Sequence, residues 1–399
     1  MRMLFSMVNV ISQVLKEDFM KKIFAILVSL LFTVTLVSVS YSADAKPVEA
    51  KKPTIGEIKT SGVMYINYIY DVDDLGKGEG FNRFDLERTY LTFESNIAEK
   101  AKIKVTTDIY QNAKSVSIKA EDGSKTDNTD AKSVTVASYY DGWSVRLKNA
   151  YVDLDLIPMT TIRAGMIGTP WIPTVEKAWG YRFVKPTLTD ALKLFSSADM
   201  GAAAIVKIPQ GYGEFMLAVL NGVGYSKPED DKYKDICPRI TITPMPKDAM
   251  LKGLGISAYY YMGKKASGDD SLDRTRLGAM LNFSYDFINV GGEFDMSTDQ
   301  SLKDNATVDT NGSGFSGFGE VKFGKFLPAP LNNLGLIARF DSWDPNTDTE
   351  NDGNSVILAG LTYNVAKNVR AVLDLQQTSY QAAGKDSTSQ VMAQVEVKF

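Results

Sequence analysis

The chain is 399 residues long, with 44 lysines and arginines against 48 aspartates and glutamates, one cysteine and no histidine. The near-even charge mix excludes a nucleic-acid binder that recruits its partner by charge, and the lack of histidine removes the usual general base of serine and cysteine hydrolases together with the commonest metal ligand. Cys237 has no partner for an internal disulfide, so an exported chain of this size draws its stability from hydrogen bonding and burial.

Met20-Lys21-Lys22, an apolar stretch over residues 23–39, and Ser40-Tyr41-Ser42-Ala43-Asp44-Ala45 supply the positive, apolar and small-residue parts of a secretory signal peptide. The signal is predicted over residues 20–45, cut after Ala43 or Ala45, with residues 1–19 an upstream extension from a mis-assigned start. Residues 46–54 read as a short periplasmic tail, and residues 55–399 as one domain, because no linker divides them. Past the signal, nothing approaches the roughly 20 apolar residues that a membrane helix needs.

The remainder of the chain has a period of two. Strands are predicted near 58–70, 83–96, 101–118, 143–156, 160–168, 198–209, 212–222, 234–244, 252–263, 272–287, 288–298, 314–326, 332–343, 354–365, 367–379 and 388–399, about sixteen in all. Each has an apolar face and a small or polar one. Leu277, Ala279, Leu281 and Phe283 oppose Gly278, Met280, Asn282 and Ser284; Leu373 and Leu375 oppose Asp374 and Gln376. A soluble sandwich would alternate in the same way, but not over so many strands of about ten residues. The pattern predicts an all-β fold, a transmembrane antiparallel β-barrel with lipid outside and water inside. Short turns, such as Pro209-Gln210-Gly211, alternate with long polar connections at 71–82, 120–142, 226–234, 298–312 and 344–353. The short ones belong on the periplasmic side. Aromatics near strand ends (Tyr65, Tyr68, Tyr70, Tyr259, Tyr260, Tyr261, Trp143, Phe399) fit interfacial girdles.

The last strand places Val391, Ala393, Val395, Val397 and the terminal Phe399 on one face. It resembles the terminal signal read by the outer-membrane assembly machinery of Gram-negative bacteria, which makes Val395, Val397 and Phe399 the candidate assembly residues.

Little suggests chemistry. Gly222-Val-Gly224, Gly253-Leu-Gly255 and Gly314-Phe-Ser-Gly317 open no helix after a strand, as a phosphate cradle would. The acidic run from Asp344 to Gly353 spaces oxygens as calcium loops do but carries Thr349 where the turn glycine belongs. It reads as a solvated outer loop, bridged to lipopolysaccharide by divalent cations. No catalytic residue, metal ligand or cofactor site is predicted, and the chain is not expected to be an enzyme.

Residues 168–195 differ from the other connections. Trp171, Trp179, Tyr181 and Phe183 give them too much apolar bulk to lie free in water. Folded into the lumen, such a loop would bury its aromatics on the wall and present Glu176, Lys177, Arg182, Lys185, Asp190 and Lys193 as a pore constriction. Arg163, Lys207, Arg239, Arg339 and Arg370 are the further residues expected to face the pore.

Several segments resemble a known family. Gly165-Met-Ile-Gly168-Thr169-Pro170-Trp171, Asp199-Met-Gly201, Asn221-Gly222-Val-Gly224, Arg239-Ile-Thr-Ile-Thr-Pro244, Phe84-Asp-Leu-Glu87-Arg88-Thr-Tyr90-Leu and Asp341-Ser-Trp-Asp344-Pro are similar to landmarks of the phosphate-selective (O/P-type) porins. The resemblance implies a sixteen-stranded homotrimeric channel for small hydrophilic solutes in the outer membrane. That family's dense pore arginines and lysine cluster are not matched by the scattered, acid-balanced basic residues here, which implies a general or weakly anion-selective porin. The competing reading is a non-conducting outer-membrane scaffold or adhesin that binds a partner through its long acidic loops.

Overall fold

The computed structural model describes residues 56–119, 133–267, 270–303 and 306–399. The expected extension, signal and tail lie outside them. The described residues form one closed antiparallel barrel in which every strand pairs with its sequence neighbours and the last pairs with the first.

The sixteen strands are β1 (Lys59–Asp71), β2 (Asn82–Ala98), β3 (Ala101–Lys119), β4 (Ser133–Ile157), β5 (Thr160–Gly168), β6 (Ala198–Ile208), β7 (Gly213–Leu220), β8 (Asp235–Ile242), β9 (Leu254–Ser267), β10 (Asp270–Tyr285), β11 (Ile288–Lys303), β12 (Ala306–Lys322), β13 (Leu334–Asp344), β14 (Asn354–Ala366), β15 (Val369–Tyr380) and β16 (Thr388–Lys398). Each predicted strand has its counterpart, but the stretches expected as loops at 120–142 and 298–312 are in part strand. β4 starts at Ser133, and β11 and β12 pair out to Lys303↔Ala306. Polar and small residues crowd these stretches and leave too short an apolar row to betray a strand in sequence. Backbone pairing does not depend on it, and the ribbons continue into water.

The burial pattern is that of a soluble protein turned inside out. Leu281 and Leu373 are 57% and 56% exposed, whereas Arg339 and Asp374, on the other face, are 3% exposed. Fully burying a side chain such as leucine is worth about 1.5–3 kcal/mol, so a continuous outer belt of leucine, isoleucine, valine and phenylalanine is stable only in lipid. Three of the aromatics expected in a girdle do not belong to it. Tyr65, Tyr259 and Tyr261 are buried on the inner face, while Tyr70 and Trp143 stay exposed.

Two short helices interrupt the strands, α1 (Ile172–Trp179) and α2 (Leu188–Ala191), both between β5 and β6. A closed sheet leaves no unpaired edge. Here the closing seam runs from Asp71↔Gln390 to Val63↔Lys398 and ends on two hydrogen bonds between Gly62 and Phe399.

Candidate pore constriction

The loop between β5 and β6 is shaped by its own sequence before it meets the wall. A proline in its first turn suits α1, where the missing N–H would have no partner. Gly180, at φ +74°, ends the helix by donating its N–H to the Glu176 carbonyl at 2.9 Å. The Trp179 indole N–H then donates to the Lys185 carbonyl at 3.0 Å and closes the next turn.

Packing fixes the folded loop inside the barrel. Trp171 and Val175 join a cluster with Ile205, Met216, Tyr259 and Met280, and Trp171 stacks on Tyr259 at 4.4 Å. Trp179, Tyr181, Phe183 and Val184 join a second cluster with Tyr65, Phe318, Ile337, Leu358 and Val372. The inner wall is therefore apolar beneath the loop, as the burial of its aromatics requires. Polar anchors surround these patches. Arg370 donates to the Gly180 carbonyl at 2.8 Å, Asn289 to Ala178 at 2.9 Å, Gln376 to Val184 at 3.2 Å, and the Tyr181 hydroxyl donates to Glu320 at 2.5 Å.

The six charges expected at the constriction divide into groups. Arg182 meets three carboxylates, Glu87 at 3.1 Å, Glu176 at 3.2 Å and Asp190 at 3.4 Å, and the first of these ties the loop across to β2. Arg182 is thus neutralised rather than presented to solute. Burial holds the Glu176 carboxyl above the ordinary carboxylate range. Lys185 rests against Gln376 at 3.4 Å, and burial pushes its ammonium below the usual lysine range. Lys177 and Lys193 are exposed.

The five residues expected to face the pore also separate. Arg163 is held bidentately by Asp153 at 2.7 and 2.9 Å, Arg239 by Glu214, and Arg370 by Glu396 at 2.6 Å. Arg339 points inward, but Trp179 covers it at 5.4 Å and Asp341 pairs with it at 2.7 Å. At 3% exposure it does not face an open pore. Lys207 is exposed.

On the short-turn side of the loop lies a cavity of about 1100 Å³, whose lining includes Lys177, Lys207 and Lys252. Among the described residues, these three lysines take part in no ion pair. Lys252 sits in a turn before β9 and was not expected at the pore.

Sequence reasoning also missed a group on the opposite side. Arg88 and Arg146 share Asp108 at 3.2 and 2.7 Å, and Lys148 reaches the hydroxyls of Ser197 at 3.0 Å and Tyr90 at 3.3 Å. A signal was present. Val145 and Leu147 set one parity for β4, and Val152 and Leu154 the other, so the strand must slip between them. The structure places the slip there, where Thr107 pairs with Leu147 but Thr106 pairs with Asn149.

Two motif landmarks have a structural explanation. The Asp199 carboxylate accepts the Gly222 N–H at 2.7 Å, which ties the Asp-x-Gly motif at the start of β6 to the Asn-Gly motif after β7. Gly222 has φ +101°, and a side chain there would collide with Asp235 and Arg274.

No family model and no curated protein matches this chain. Solved structures do. An anion-selective porin from Comamonas acidovorans aligns over 86% of this chain and 100% of its own, with TM-score 0.61 and 11% identity. The outer membrane channel DcaP of Acinetobacter baumannii aligns over 88% and 100%, with TM-score 0.58 and 12% identity. OmpF of Salmonella typhi, in complex with daunomycin, aligns over 86% and 98%, with TM-score 0.55 and 12% identity. The likeness is one of fold. This chain is built as the porins are built.

Proposed function

We propose that the chain is an outer-membrane porin of a Gram-negative bacterium, a water-filled channel for passive diffusion of ions and small hydrophilic solutes with weak anion selectivity. The observation that carries the reading is the loop at 168–195, packed on the inner wall with its aromatics buried, beside a cavity of about 1100 Å³ lined by unpaired lysines. A scaffold has no use for a narrowed lumen, whereas a channel does. The selectivity residues in this reading are Lys177, Lys207 and Lys252, because the arginines are offset by carboxylates and charges near low-dielectric walls act strongly on permeating ions. Phosphate selectivity is not part of it. The channel would assemble as a homotrimer in lipid and lipopolysaccharide, delivered by the assembly machinery through Val395, Val397 and Phe399.

The deciding experiment is conductance of the purified protein in a planar bilayer. Large ohmic steps are expected, with a reversal potential in a potassium chloride gradient on the anion side. Replacing Lys177, Lys207 and Lys252 together with glutamate should move it toward cations, and replacing Lys227 and Lys232 in the outer loop should move it less. Exposed charges are screened over about 10 Å at 0.1 M salt, so the gradient belongs at low ionic strength. Electrical silence would refute the channel.

A further inference from the structure

We propose that Lys148 and the tyrosines around it form a binding track for small organic monoanions with a flat apolar ring, the class of aromatic monocarboxylates. The proposal rests on the channel reading and deepens it.

Six side chains alternate ring and cation along the inner face of β2, β3 and β4 and the adjoining connection after β7: Tyr110, Arg146, Tyr225, Lys148, Tyr90 and Arg88. The Arg146 guanidinium stands 3.9 Å from the Tyr110 ring and 4.7 Å from Tyr225. The Lys148 ammonium stands 5.3 Å from Tyr225 and 5.0 Å from Tyr90, and Arg88 lies 5.9 Å from Tyr90. These separations are those of cation–ring attraction.

The cations are not equivalent. Arg88 and Arg146 both direct their charge to Asp108. Among the described residues Lys148 has no carboxylate within ion-pair distance, and its ammonium meets only the hydroxyls of Tyr90 and Ser197. An ammonium has three donors, so one is free for an anionic oxygen. The register slip between Thr106 and Thr107 makes Lys148 the extra residue of a bulge, a device that re-aims a side chain by giving up one rung of the ladder.

The surroundings select the class of anion. Arg88 and Arg146 are held by Asp108, and Arg182 by Glu87, Glu176 and Asp190, so among the described residues Lys148 alone of this group offers an unshared charge, enough for one negative charge and not for the second of a dianion. A single carboxylate matches the one unpaired ammonium. A flat ring beside it can pack on Tyr90 and Tyr225, both half-buried, and an inorganic ion cannot.

The test titrates benzoate, acetate and inorganic phosphate calorimetrically into the full-length protein purified in detergent, with heat-modifiable gel mobility as the folding control. Benzoate should bind at least tenfold tighter than acetate or phosphate. Lys148→Met should weaken benzoate about tenfold, the scale of one partly buried cation contact. Tyr225→Leu, in a connection rather than a strand, should weaken benzoate and leave acetate unchanged; it decides the matter should Lys148→Met fail to fold. Equal binding of benzoate and acetate, a preference for phosphate, or indifference to both substitutions overturns the track. Potassium chloride conductance of the same preparation reads the channel separately, so loss of conductance with benzoate binding intact refutes the channel and not the site.

Discussion

The ring of Phe399 lies over Gly62, and the two backbones exchange hydrogen bonds of 2.7 and 3.0 Å. A side chain on Gly62 would stand where the ring now lies. Gly62→Val is therefore expected to displace the terminal ring and cost about 1–3 kcal/mol, the range for overfilling a packed site. The heat-modifiable folded fraction in membrane extracts should fall, and deletion of Phe399 should have the same effect. Unchanged folding of Gly62→Val would show that the contact does not help to close the barrel.

Orientation of the strands can be tested with one pair of neighbours. Leu281 faces lipid and Asn282 lines the inner cavity. Leu281→Arg should cost about 2–4 kcal/mol near the midplane, and Asn282→Arg much less. Denaturant midpoints in lipid vesicles measure both, and equal costs would contradict the assignment.

Trp179 is 1% exposed between Phe318 and Tyr181 and caps Arg339. Trp179→Ala should remove about 3–5 kcal/mol of packing, most of it from the loop rather than the barrel ladder. The expected phenotype is a folded barrel with larger, noisier single-channel conductance and faster tryptic cutting within residues 177–193. A channel with unaltered conductance would mean that the loop does not narrow the lumen.

Glu176 is the group to track with pH. Its carboxyl is held above the ordinary range by burial, so on acidification it takes up a proton before exposed carboxylates do. Arg182 then loses one of its three counter-charges, and the constriction becomes more positive. The reversal potential should shift toward anions as pH falls through this raised pKa. Glu176→Gln should show the shifted value at neutral pH and lack that step.

The strands were legible because lipid outside and water inside impose a period of two, and only rows such as Leu277, Ala279 and Leu281 satisfy it. The loop was legible because four aromatics within thirteen residues need cover. The charges within it were not. Arg182 looks like a free cation until Glu87, on β2, is brought to 3.1 Å. Arg339 looks pore-facing until Trp179 lands on it. Both outcomes depend on contacts between distant parts of the chain, which no local pattern records. The parity slip at Lys148 lies between these cases, written in the sequence but visible only when the apolar positions of β4 are compared across it.

β5 and β6 remain paired as far as Gly168↔Ala198, so the chain leaves the wall and returns to it at the same rung. Beyond one further backbone bond, from the Thr169 N–H to the Ser197 carbonyl at 3.0 Å, everything between is an insert whose excision would break no bond of the ladder. In evolutionary terms the loop is a cassette. It can be lengthened, recharged or exchanged while the wall keeps its register, and the wall limits it through the apolar patches on which Trp171 and Trp179 rest and through the polar anchors around them, such as Arg370 and Asn289. One barrel of this kind can acquire a new inner loop without relearning how to fold.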